Sequence, residues 1–136
     1  MTDPLVTVSA GTLRGIRRPG SLAFLGIPFA AAPVGENRFA APQPAEPWEG
    51  VRDATAYGPT PQRGDTGITL IPEPSVPGDA TLNVNVFTPD TDAAAPFPVL
   101  VWIHGGGYIS GSPASPWYDG SAFSRDGVVT VTLSYR

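Results

Sequence analysis

The sequence has no cysteine and no lysine, and only one histidine and one methionine, among its 136 residues. Without cysteine there is no disulfide framework, no thiolate metal site and no catalytic thiol. Without lysine there is no Schiff-base amine, no P-loop lysine and no serine–lysine nucleophile pair. The eight basic residues are all arginine and face twelve acidic ones, for a net charge of −4. No basic cluster stands out, so nucleic acid is not an expected partner. No apolar run approaches membrane-spanning length, so no membrane partner is expected either. Met1, Thr2, Asp3 and Pro4 carry neither the basic nor the apolar stretch of a secretory leader. The expectation is a soluble cytoplasmic protein. Long helices are also scarce, because few windows of ten residues escape both glycine and proline.

Those two breakers are what the chain has in quantity: 16 glycines and 17 prolines. They are interleaved with aromatic and β-branched residues, which points to folded, turn-rich structure and not to a low-complexity tract. Residues 5–8 and 12–17 read as a small hairpin. Residues 22–29 begin as a strand, and Gly26 and Pro28 turn it into extended loop. Residues 32–62 hold six prolines with Phe39, Trp48 and Tyr57 spaced between them, and read as a long ordered coil anchored by those rings. Residues 64–78 read as a mobile surface loop. Residues 81–88 alternate apolar Leu82, Val84 and Val86 with polar partners, the pattern of a half-buried antiparallel strand near a sheet edge. Residues 121–125 fit one or two helical turns capped by Asp119 or Ser121 and stopped by Gly127. Residues 128–133 form another apolar strand. Strand, short helix and strand in that order make a parallel pair with a right-handed crossover. The whole is one α/β unit with a mixed sheet whose antiparallel part comes first.

The chain's centre of interest is residues 98–112, where the apolar run Pro-Val-Leu-Val-Trp-Ile stops at His104 and three glycines. The run reads as a fully buried strand. Gly105, Gly106 and Gly107 then present backbone N–H groups that no side chain shields. Such donors can stabilise charge developing on an oxygen atom, as in an oxyanion hole.

Several motifs converge on one family. Gly26-Ile27-Pro28-Phe29-Ala30, Pro33-Val34-Gly35, Arg38-Phe39, Pro42 with Pro44, Trp48 with Gly50, Asp53-Ala54 and Gly58-Pro59 follow one another in order. Leu82-Asn83-Val84-Asn85-Val86-Phe87-Thr88-Pro89, Trp102-Ile103-His104-Gly105-Gly106-Gly107-Tyr108 and the closing Tyr135-Arg136 complete the series. Together they resemble the type B carboxylesterases, which include the cholinesterases, along nearly the whole chain. The resemblance implies an α/β-hydrolase fold, of which residues 1–136 are an incomplete N-terminal segment. It implies a serine esterase with an acyl-enzyme mechanism, a small-molecule carboxylic ester as substrate, and no cofactor or metal. It assigns the oxyanion-hole donors to the Gly106 and Gly107 N–H groups, with Gly105 shaping the turn and Tyr108 beside the substrate. The family's frequent disulfide would fall at about Thr60 and Thr81, both threonine here, and its ion pair to the arginine of the Arg-Phe motif at Arg38 and Asp79, where aspartate stands in place of the usual glutamate.

The rest of a triad is not evident. The family's nucleophile sits in a G-x-S-x-G elbow, and residues 107–111 place serine one position late. His104 is read as a core histidine bonded to nearby backbone, since no serine and acid partners stand at triad spacing. Asp90 and Asp92 are a turn pair, too few ligands for a metal. Serine, acid and base must come from the remaining part of the hydrolase fold, on the same gene product or a second chain. The competing readings are a non-catalytic cholinesterase-like scaffold and an inactive piece. Residues 99–103 and 128–133 read as central strands wanting neighbours and helical cover.

Overall fold

The computed structural model describes residues 3–64, 67 and 70–136. Eight strands form two sheets among them. β1 (Leu5–Val8) and β2 (Gly11–Arg14) make the expected hairpin, and β5 (Val51–Asp53) adds to β2 in parallel. The larger sheet contains β3 (Ile16–Arg18), β4 (Ser21–Pro28), β6 (Asn83–Thr88), β7 (Val99–Ile103) and β8 (Val129–Leu133), in the spatial order β3-β4-β6-β8-β7. All its pairs are antiparallel except β7 with β8. The mixed sheet with its antiparallel part first is as expected. The single strand expected over residues 12–17 divides at Gly15, where the chain passes from one sheet to the other.

Alternation along β4 sends side chains to opposite faces of the large sheet. Leu22 and Phe24 join Leu13 and Ala54 under the small sheet, with Trp48 and Val86 packed against them. Ala23 and Leu25 join Phe87 on the other face, with Ile16 and Tyr57. The helix α1 (Ser121–Arg125) connects β7 to β8 and lies on the Phe87 face, where a side chain on Gly120 would meet Phe87 and Thr130. Its N-cap is Gly120, with no side-chain cap; Asp119 instead accepts from the Ser121 N–H at 2.9 Å. Gly127 ends it with φ +78°, a conformation that favours glycine.

Four expectations need correction. β6 is the central strand of the large sheet, not near its edge. Its buried residues are Asn83, Asn85 and Phe87, while Val84 and Val86 are only half-buried. Asn85 explains why: its Oδ1 accepts from the Gly26 N–H at 3.0 Å, and its Nδ2 donates to Thr132 Oγ1 at 3.0 Å and to the Pro113 carbonyl at 3.3 Å. Asn83 Nδ2 likewise donates to the Pro59 and Ala80 carbonyls. The asparagines satisfy backbone groups without a strand partner, in loops at Pro59, Ala80 and Pro113 and at the β4 irregularity at Gly26.

β7 is also not the buried strand its composition suggests. It pairs on one side only, and Val99, Val101, Trp102 and Ile103 are all exposed. Phe39 is no anchor: its ring is 89% exposed and its φ is +58°. Trp48 and Tyr57 do anchor the proline-rich coil, Trp48 by a 2.9 Å bond from Nε1 to the Thr12 carbonyl. Last, Arg38 and Asp79 line one open cleft, yet no ion pair forms between them.

Part of the segment read as a mobile loop, residues 65–66 and 68–69, lies outside the described residues. Its flanks are tied down: Arg63 pairs with Glu73, Ser75 donates to Gln62, and Ser112 donates to the Pro74 carbonyl at 2.6 Å.

Candidate functional site

β7 and β8 run parallel, and the glycine turn leaves the carboxyl end of β7, the position at which open α/β sheets bind ligands. The turn is tight. Gly106, Gly107 and Gly111 have φ of +133°, +60° and +101°, values that strain any residue with a Cβ. Space excludes side chains there too. A Cβ on Gly106 would lie 1.9 Å from the Ser110 carbonyl oxygen, and one on Gly111 would lie 2.2 Å from that of Gly105. Gly105 and Gly107 face open space.

Three successive carbonyls of this turn have partners. Tyr135 Oη donates to the His104 carbonyl at 2.8 Å. His104 Nδ1 donates to the Gly105 carbonyl at 2.9 Å. The Gly106 carbonyl accepts from the Ile109 N–H at 3.1 Å, the Ser110 N–H at 3.0 Å and the Ser110 hydroxyl at 3.2 Å. The N–H groups of Gly105, Gly106 and Gly107 donate to nothing among the described residues. Tyr108 follows in the left-handed region at φ +64°, 88% exposed, its ring edge-on to Tyr135 at 6.0 Å.

His104 is buried, its imidazole stacked on the Tyr135 ring at 4.5 Å. A carbonyl can only accept, so Nδ1 carries the proton. Nε2 has no hydrogen-bond partner, and no hydroxyl or carboxylate pairs with it. His104 is thus the backbone-bonded core histidine expected from sequence, without the contacts a general base requires.

An open cavity of about 500 Å³ lies against the turn, lined by Ile103, Gly105, Gly107, Tyr108, Leu133 and Tyr135 among others. Its walls are mainly apolar, with His104 and Arg136 completing the lining. Among the described residues no three His, Asp or Glu side chains gather as metal ligands would. No helix of the described residues is long and apolar enough to cross a membrane. Of the residues the sequence reading assigned to this turn, Gly105, Gly107 and Tyr108 line the cavity and Gly106 does not. That reading missed Tyr135 and Ser110. The Ser110 bond to the carbonyl four residues back is a pattern serine is known for; Tyr135 stood in the sequence only as part of the closing Tyr135-Arg136 motif, with no role attached.

Comparison with known proteins gives one consistent answer. The profile of the carboxylesterase family matches residues 2–136. The para-nitrobenzyl esterase of Bacillus subtilis (strain 168) is 45% identical over 141 residues, covering all of this chain and 28% of that protein. The phenmedipham hydrolase of Pseudarthrobacter oxydans is 42% identical, with 28% of its length covered. The crystal structure of a Geobacillus stearothermophilus carboxylesterase at pH 6.8 superimposes with a TM-score of 0.83 at 44% identity, over 97% of this chain and 26% of that one. A para-nitrobenzyl esterase structure gives a TM-score of 0.89 at 43% identity. The chain therefore spans just over a quarter of the length of the relatives it matches, and its fold is the corresponding part of an α/β-hydrolase.

Proposed function

The chain belongs to the carboxylesterase family, and from that premise we propose that it is the N-terminal segment of a serine ester hydrolase and supplies the oxyanion hole. The observation that carries this reading is the turn after β7, whose Gly106 and Gly107 N–H groups are unpaired among the described residues and whose Gly105 and Gly107 border an open cavity. Serine, acid and base come from sequence outside these 136 residues. In the reaction the serine oxygen adds to the ester carbonyl carbon, and the base takes the serine proton. The carbonyl π pair moves to oxygen, where Gly106 and Gly107 hold the oxyanion. Collapse breaks the bond to the alcohol, which leaves with the proton. Water then repeats the sequence on the acyl-enzyme and releases the carboxylic acid. Removing one such donor typically costs about 10²–10³ in rate. Tyr108 and Gly105 border the ester. The absence of cysteine fits a reducing, cytoplasmic setting.

A second observation supports the incomplete-segment reading. Val84, Val86, Val99, Val101, Ile103, Val131 and Leu133 share one face of the large sheet by register, and on β7 that face is open. An exposed apolar face of this extent wants cover.

The test is a chimera in which residues 1–136 replace the matching 28% of the Bacillus subtilis para-nitrobenzyl esterase. We expect it to hydrolyse small chromogenic carboxylic esters with a burst of acyl-enzyme. The 136-residue chain alone is expected to show no turnover. A chimera that melts cooperatively yet turns over no ester would overturn the proposal.

A further inference from the structure

The hydrogen bonds on the glycine turn have a directional consequence. In a planar trans peptide the carbonyl of one residue and the N–H of the next point in opposite directions. Whatever holds the Gly106 carbonyl therefore aims the Gly107 N–H, and whatever holds the Gly105 carbonyl aims the Gly106 N–H. The Gly106 carbonyl is held from three sides, twice by Ser110. The Gly105 carbonyl is held by His104 Nδ1, and the His104 ring is itself stacked on Tyr135. The Tyr135 hydroxyl then fixes the peptide before it, through the His104 carbonyl. The walls of the turn allow no slack. Gly111 sits so close to the Gly105 carbonyl and His104 Nδ1 that a Cβ would lie 2.2 Å and 2.4 Å from them.

We propose that Tyr135 and Ser110 are positioning residues of the oxyanion hole. Tyr135 clamps His104 from the end of β8, and Ser110 clamps the Gly106 carbonyl from within the turn. This rests on the oxyanion reading above and goes beyond it by naming side chains that never touch the ester. Neither hydroxyl is a nucleophile here, because each is spent as a donor to a backbone carbonyl.

The experiment uses the active chimera and a trifluoromethyl ketone analogue of an ester. The serine oxygen adds to the ketone carbon, and the resulting hemiketal hydroxyl ionises to the oxyanion that the hole would hold. A ¹³C label on that carbon reports its ionisation against pH. The parent is expected to ionise well below the free ketone hydrate. Tyr135→Phe keeps the ring stack and loses only the hydroxyl bond; Ser110→Ala loses the side-chain bond; Ser110→Thr restores it. The first two should each raise the ionisation pH by about one unit and lower kcat about fivefold to tenfold at unchanged KM. Ser110→Thr should recover most of both. A lowered ionisation in the parent that neither Tyr135→Phe nor Ser110→Ala moves overturns the positioning roles and leaves the oxyanion reading standing. No lowering in the parent overturns both. Should Tyr135→Phe fail to fold, the Ser110 pair decides the matter.

Discussion

The two faces of the large sheet invert the usual rule. On one, Asn85 and Thr132 are buried and hydrogen-bonded, and the buried hydroxyls of Thr130 and Ser134 have no partner among the described residues. On the other, Val99, Val101 and Ile103 of β7 lie exposed. The difference follows from what the chain lays over each face. The segment from Ser112 through α1 crosses the polar face, and its backbone needs partners: the Pro113 carbonyl accepts from both Asn85 Nδ2 and Thr132 Oγ1. On the apolar face the small sheet reaches only as far as Leu22, Phe24 and Val86. Burial here is decided by coverage, and hydropathy tells only what kind of cover each face accepts.

The largest effect should come from Asn85→Ala. It leaves the Gly26 N–H buried without its partner and opens a cavity, at about 2–4 kcal/mol. Val86→Ala on the opposite face of the same strand should cost less, about 1 kcal/mol. Urea midpoints of the two chimera variants make the check, and a larger loss for Val86→Ala would contradict the account of the faces. Next comes Val101→Lys. In the 136-residue chain it should lower self-association by sedimentation velocity and change stability by less than about 0.5 kcal/mol. In the chimera, where we expect that face to be covered, it should be strongly destabilising. Equal behaviour in both settings would mean that the face is open in both.

The smallest effect concerns pH. Tyr57 packs against Ala23, Leu25 and Phe87, and its burial raises the phenol pKa, with the nearby Arg18 charge acting in the opposite direction. A folded-state pKa above the unfolded one means that stability is fully present below about pH 10 and falls as pH rises beyond it. Tyr57→Phe should flatten that alkaline decline slightly, as read from thermal midpoints between neutral and alkaline pH.

Local chemistry made much of this legible in the sequence. Three glycines after an apolar strand announce unshielded backbone donors, and a strand–helix–strand order announces the parallel pair of β7 and β8. The same local reading misplaced Asn83 and Asn85, because their partners at Gly26, Pro59 and Pro113 are distant in sequence. An alternating pattern tells which residues share a face, but not which face a remote loop will cover. Phe39 failed for a related reason: an aromatic side chain signals burial only if something packs on it. Arg38 and Asp79 stand where the resemblance puts an ion pair, and their cleft stays open between them. Tyr135 acts across 31 residues on His104, a relation that exists only once β8 has aligned with β7.

Gly15 carries a mechanical consequence. It is the single residue between β2 and β3, and thus the crease at which one run of chain leaves the small sheet and enters the large one. A Cβ there would lie 2.5 Å from the Ala23 carbonyl oxygen and 2.8 Å from the Phe24 ring, so the crease is pressed flat against β4. Tension applied at the N-terminus acts first on the Pro4 carbonyl, which accepts from the Gly15 N–H at 2.9 Å, and then unzips β1 from β2 starting at Leu5 and Arg14. The crease therefore carries load from the outset, and the hairpin of the small sheet opens from its Gly15 end while the glycine turn lies at the far edge of the other sheet.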